Sequence, residues 1–390
     1  MGTRLFVLPI ALATVLSAAD VAPGMNHFTV AAYKEVARGK GNLILSPFSI
    51  ASVLSMAFEG ARGQTADQMA SVLHRLNGAE YPAEFASMVA QMIQEGNAGA
   101  NQLAIANGLW VQRGFSILPD FQHTLAEQYH APLQLVDFHS PQTVDEINAW
   151  TEQHTKGRIK NLFGPHSLGA KDRLVLTSAI YFYGKWQTPF KTKDTHPAPF
   201  RLGPGGTVDT NFMHQSGTFE YSETPTAQIL QMHYAGTPMV FDIVLPKSDD
   251  GITALDTSIT ADDLANWLGD LATRTVDVTV PKFRAESEFS MAETLARMGM
   301  PVALTGSADF SGINGQKDIA ISAVKHKAFV DVSEEGTEAA AATGMVMTRI
   351  AARQTERVIF KADHPFLFFI RDSHSGTILF TGRMSNPKPS

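Results

Sequence analysis

Apolar residues recur along this chain in two rhythms. After Ser46-Pro47, the positions Phe48, Ile50, Val53, Leu54, Met56 and Phe58 leave little polar face, which predicts a helix buried on nearly all sides. Ser at the N-cap and Pro at the first helical position suit its start. Thr65-Ala66-Asp67-Gln68 fits a capping box, with Met69, Val72, Leu73 and Leu76 on one face and Gly78 as the stop. A third helix is predicted after Ser140-Pro141, carrying Val144, Ile147 and Trp150 on one side and ending near Gly157. Downstream the pattern becomes that of strands. Residues 174–183 are apolar on both pleat faces apart from Thr177 and Ser178, as in a central strand. Residues 239–245, 276–280, 328–332 and 358–361 read as further strands, and 366–370 and 377–381 flank a turn as a C-terminal hairpin. Helices early and strands late, with no linker and no internal repeat, predict one mixed α+β domain rather than a doubly wound sheet.

Composition narrows the class. With 44% hydrophobic residues in 390, the chain is neither disordered nor collagen-like. A net charge of −7 without any basic run disfavours nucleic-acid binding. The absence of cysteine excludes disulfides, thiolate catalysis and cysteine-based metal sites. Residues 1–19 hold one charge, Arg4, then the apolar stretch 5–16 and Ser17-Ala18-Ala19 before Asp20. This reads as a secretory signal peptide, because the apolar stretch falls short of the about 20 residues that span a bilayer. The expectation is an exported protein, extracellular or periplasmic, with no membrane partner.

Catalytic motifs are missing. There is no Gly-x-Ser-x-Gly, no His-Glu-x-x-His, no phosphate loop and no Gly-x-Gly-x-x-Gly before a helix. Gly203-Pro-Gly-Gly206 reads as a surface turn. His123 and His130 have no Asp or Glu directly beside them in the sequence, so neither metal nor cofactor is expected, and the chain does not read as an enzyme.

Residues 333–357 stand out, because a connection of that length between two strands is usually functional. One reading is an Ala-rich helix begun by Ser333, with Glu334 and Glu335 in its first turn. A second reading has period two: Thr337, Ala339, Ala341, Thr343, Met345 and Met347 form an uncharged face. Small side chains on that face would let the segment enter a sheet as an extra strand, with Gly336 as its hinge.

These residues resemble the serpins, over roughly 25–386. The matching stretches are Asn42-Leu-Ile-Leu-Ser-Pro-Phe-Ser49, Ala106-Asn-Gly-Leu-Trp110, Ile147-Asn-Ala-Trp150, Leu174-Val-Leu-Thr-Ser-Ala-Ile-Tyr-Phe-Tyr-Gly-Lys-Trp186, Val280-Pro-Lys-Phe283 and Ala308-Asp-Phe-Ser-Gly312. More specific still are Glu334-Glu-Gly-Thr-Glu-Ala-Ala-Ala-Ala342, Asp363-His-Pro-Phe366 and Phe380-Thr-Gly-Arg383. The resemblance implies a single serpin domain over 20–390, with three sheets, about nine helices and an exposed reactive-centre loop at 333–357.

The implied activity is suicide inhibition of a serine protease. The protease acylates the loop, which then inserts into the largest sheet and carries the enzyme to the far pole. The alternative within the family is a non-inhibitory binding or chaperone protein, but a hinge of Glu334, Gly336, Thr337, Ala339, Ala340, Ala341 and Ala342 keeps the inhibitory pattern. Counting from Gly336 implies cleavage at Ile350–Ala351, for an elastase- or subtilisin-like protease. One position earlier, Arg349–Ile350 would suit a trypsin-like one, and Arg353 is a further candidate. By the same resemblance Ser46, Ser49 and His326 form a shutter under the sheet, and Trp186 marks the breach where the loop enters. Ser178 departs from the family's usual Asn, which implies a looser or water-bridged gate. Residues 77–103 contain no basic residue, so no heparin site is expected, and a monomer is.

Overall fold

The computed structural model describes residues 18–39, 41–75, 81–129, 131, 133–337 and 357–388. Six helices come early: α1 (Ala18–Val36), α2 (Pro47–Phe58), α3 (Gly63–Val72), α4 (Tyr81–Gly96), α5 (Pro119–Glu127) and α6 (Gln142–His154). Four shorter ones follow: α7 (Ile252–Ser258), α8 (Ala261–Gly269), α9 (Ala292–Met298) and α10 (Ser311–Asn314). The first strands are β1 (Leu43–Leu45), β2 (Gln102–Gln112), β3 (Gln134–Val136) and β4 (Leu174–Lys185). Next come β5 (His196–Arg201), β6 (Thr207–Glu223), β7 (Ala227–His233), β8 (Met239–Pro246), β9 (Ala272–Pro281) and β10 (Phe283–Ser290). The last are β11 (Ile321–Val332), β12 (Gly336–Thr337), β13 (Val358–Lys361), β14 (Phe366–Asp372) and β15 (Ile378–Met384).

These strands form two sheets among the described residues, not three. A nine-stranded sheet runs β1-β15-β14-β8-β7-β6-β9-β13, with β5 added on β6. Its continuity comes from the 17-residue β6, which pairs with β5 at its start, β9 through its middle and β7 at its end. One long strand thereby fuses what would otherwise be two small sheets. The second sheet has six strands, β10-β11-β12-β4-β2-β3, with β11 and β4 also paired directly. The α+β, single-domain architecture holds, with ten α-helices described against about nine expected.

α2 starts as the sequence predicts: Ser46 is extended, its Oγ accepts from the Ser49 N–H at 3.2 Å, and Pro47 opens the helix. Every residue from Pro47 to Ala57 is buried, wedging α2 beneath both sheets. α3 differs from expectation. It begins at Gly63 and ends at Val72, and the Thr65 hydroxyl accepts the Asp309 N–H at 2.9 Å instead of capping a helix. A tertiary donor has taken the oxygen that a local cap needs. Gly78 lies outside the described residues. α6 ends at His154, short of Gly157, and packs Trp150 edge-on against Trp110 of β2 at 5.2 Å. β4 is a central strand as predicted, with β2 on one side and β11 on the other. Gly203–Gly205 is the expected turn, between β5 and β6. No helix among the described residues is long and apolar enough to cross a membrane.

Candidate functional site

The six-stranded sheet is closed along most of its length and parted at one end. Below, β11 and β4 pair in parallel, with His326 opposite Ser178. Above, β12 lies between them and pairs antiparallel to both, Thr337 with Val332 and with Gly184, and Gly336 with Lys185. The chain makes this entry through a tight turn, in which the Ser333 N–H donates to the Gly336 carbonyl at 2.8 Å. Only glycine suits position 336. A Cβ there would lie 1.9 Å from the Gly184 carbonyl oxygen, and φ is +152°.

Three side chains hold the upper end. Trp186 is buried, and its Nε1 donates to the Ser333 carbonyl at 2.9 Å, while its backbone N–H donates to the Glu335 carbonyl at 2.8 Å. Tyr234 stacks on Trp186 with ring centroids 4.7 Å apart, and its hydroxyl bonds the Thr337 Oγ1 at 2.6 Å. Burial pushes the Tyr234 phenol well above its ordinary pKa, so it stays a neutral donor and acceptor. Glu334 reaches sideways: Oε2 pairs with Lys282 Nζ at 2.7 Å and Oε1 accepts from Thr195 Oγ1 at 3.0 Å. Burial alone would raise its pKa, but Lys282, the backbone N–H and Thr195 outweigh it and hold the carboxyl below the ordinary glutamate value.

The lower end is closed by a polar chain that is buried at Ser46, Ser49, Ser178 and His326 and reaches half-buried Asn107. The Ser46 N–H donates to His326 Nε2 at 3.0 Å, so the imidazole proton sits on Nδ1, which lies 3.1 Å from the Ser178 carbonyl and 3.0 Å from its Oγ. Ser178 Oγ donates to Ser49 Oγ at 2.9 Å, which donates to Asn107 Oδ1 at 2.7 Å. Ser46 Oγ donates to the Leu379 carbonyl at 2.6 Å. Burial pushes the His326 pKa down to about 3, so the ring is neutral. Ser178 thus spans to both neighbours directly, and Asn107 on the adjacent strand completes the chain.

The structure therefore brings Ser46, Ser49, Ser178 and His326 into one cluster, and Trp186, Glu334, Gly336 and Thr337 into another. Ala339, Ala340, Ala341, Ala342, Arg349, Ile350, Ala351 and Arg353 lie outside the described residues. Sequence reasoning missed Tyr234, Thr195 and Asn107. Nothing local marks Tyr234 or Thr195, whereas Asn107 and Lys282 each sit inside a stretch that carried the family resemblance.

The profile described as Serpin (serine protease inhibitor) matches residues 23–387. A serpin-like protein of Thermococcus kodakarensis is 40% identical over 378 residues, covering 94% of this chain and 86% of that protein. The leukocyte elastase inhibitor of Bos taurus is 39% identical over 357 residues, 89% of this chain and 93% of the inhibitor. Among solved structures, Serpin48 of the insect Tenebrio molitor superposes with a TM-score of 0.85 at 33% identity, over 95% of this chain and 98% of its own. Human thyroxine-binding globulin complexed with its ligand gives 0.85 at 25% identity, over 96% and 100%. With this match over nearly the whole length, on a sheet that its own chain has begun to enter, the chain belongs to the serpins, the serine protease inhibitor family, and is not an enzyme.

Proposed function

We propose that this serpin is a suicide inhibitor of a serine protease, which becomes trapped as a covalent acyl-enzyme when the cleaved loop inserts between β11 and β4. One observation carries the reading: Thr337 already pairs antiparallel with both strands, and Gly336 with β4. Continued in that register, Ala339 would face Phe182 and Val330, Ala341 would face Ile180 and Ala328, and Met345 would face Leu176 and Val324. Those partners belong to the main core, where alanine-sized entrants avoid overpacking. About ten new ladder bonds at roughly 1 kcal/mol net each would release on the order of 10 kcal/mol. A dragged protease need lose only its oxyanion-hole geometry, since one missing donor there costs about 10²–10³ in rate.

The relatives named leukocyte elastase inhibitors favour an elastase-like target and the Ile350–Ala351 bond. Arg349–Ile350 remains the reading for a trypsin-like target. If the chain is exported, the encounter is extracellular, and removing 1–19 would spare the buried Val21 and Ala22 of α1. A monomer without a polyanion cofactor fits α4, which carries no basic residue. The test is incubation with elastase, subtilisin, trypsin and thrombin, read on a denaturing gel, with mass spectrometry of the released peptide. An SDS-stable complex and a cut after Ile350 are expected. Cleaved monomer alone, with every protease, rejects inhibition.

A further inference from the structure

Away from the gate, two carboxylates and an imidazole converge where α4 ends. Glu95 lies in the last turn of α4; Asp372 ends β14, and His374 sits in the turn to β15. One donor atom from each lies within 4.8 Å of the other two. His374 Nδ1 is 3.7 Å from Glu95 Oε1. Asp372 is wholly buried, and its oxygens accept from the His374 N–H at 3.1 Å, the Ser375 N–H at 2.7 Å and the Ser375 hydroxyl at 2.6 Å. Glu95 accepts from Gln91 Nε2 at 2.9 Å through Oε1, whereas Oε2 is shielded from solvent and has no partner among the described residues. Neither carboxylate pairs with a lysine or arginine among the described residues.

Two close carboxylates, largely out of water and without a permanent cation, repel each other and lack a counter-charge. Two carboxylates and an exposed imidazole this close can give a zinc ion three ligands and leave a fourth position to water, with the unpartnered Glu95 Oε2 as spare acceptor capacity on the same carboxylate. We propose that Glu95, Asp372 and His374 bind a zinc ion that fastens the end of α4 to the β14–β15 turn. Ligands of tetrahedral zinc stand about 3.4 Å apart for bonds of about 2.1 Å, so the triad must contract by roughly an ångström. The exposed His374 side chain is free to make that move. The ion would also firm the segment leading to the breach. Thr237 Oγ1 donates to the Glu95 carbonyl at 2.7 Å, and the Ser373 N–H donates to the Pro238 carbonyl at 3.1 Å, between Tyr234 and β8.

The test is isothermal titration of the full chain with zinc chloride, alongside His374→Ala and Glu95→Gln, after melting in chelator has shown that all three fold alike. One zinc per chain at micromolar affinity is expected, weakened at least about tenfold in each variant. His374→Ala alters an exposed side chain and keeps the test valid should Glu95→Gln melt early. No binding by the parent chain, or unchanged affinity in His374→Ala, overturns the proposal, the latter by assigning the zinc to other histidines.

Discussion

Thr337 and Tyr234 share a 2.6 Å hydrogen bond in full burial, and through it the hinge is fixed to the aromatic stack at the top of the six-stranded sheet. Tyr234→Phe keeps the stack and removes the hydroxyl, leaving the Thr337 Oγ1 unpaired. Such a loss costs about 1–3 kcal/mol. The intact protein should melt earlier, and amide exchange at Gly336 and Thr337 should accelerate. Unaltered exchange at those two amides would show that the bond does not hold the hinge.

Glu334 predicts a distinct acid-side behaviour. Its folded-state pKa lies below the ordinary value, so its contribution is complete above about pH 4.3 and is lost as pH falls through the depressed value. Glu334→Gln should therefore melt below the parent at pH 6, and the gap should close as pH drops below about 4. A gap independent of pH would mean that the Lys282 pairing adds nothing.

His326 acts in a higher window. It is neutral in the fold, with its pKa pushed down to about 3, while the unfolded ring takes its proton near about pH 6.5. Stability from this group is full above that point and drains as pH falls toward the folded value. The parent should lose urea resistance between pH 6.5 and about 4.5 more steeply than His326→Gln, whose amide does not titrate. Equal slopes would place the acid sensitivity elsewhere.

The register of β12 makes a further prediction about Thr343. Inserted, it would face Ser178 and His326, offering a hydroxyl to the groups that now bond each other across the closed sheet. Thr343→Val should leave the intact protein within about 0.5 kcal/mol, yet lower the stability of the loop-cleaved form by about 1 kcal/mol or more. Cleaved forms that melt together would argue for another register.

What the sequence disclosed follows the range of the interactions. The N-cap of α2 is legible because Ser46, Pro47 and Ser49 act within one turn. β4 is legible because both its faces are apolar. β2 was hidden in a helical region, since its burial alternates irregularly and its glycine at 108 reads as a breaker; a Cβ there would meet the Thr177 hydroxyl and the Trp110 indole nitrogen at 2.6 Å. Thr65 misled, because its oxygen serves Asp309 from far along the chain. The short helices α7, α9 and α10 carry too few turns to show a periodic face, whereas α8 has a one-sided face and a Thr260–Asp263 capping box that the sequence reading passed over. The triad of Glu95, Asp372 and His374 joins both halves of the chain, and no spacing rule reaches that far.

The first rung of the gap between β11 and β4 is occupied by the molecule's own chain. A loop donated by a neighbouring copy would find no vacant doorway there and must first evict Gly336 and Thr337 from their pairings. Head-to-tail linkage of copies is therefore opposed in the resting protein by self-occupancy, a guard that loosens only when heat or mutation frees those two residues.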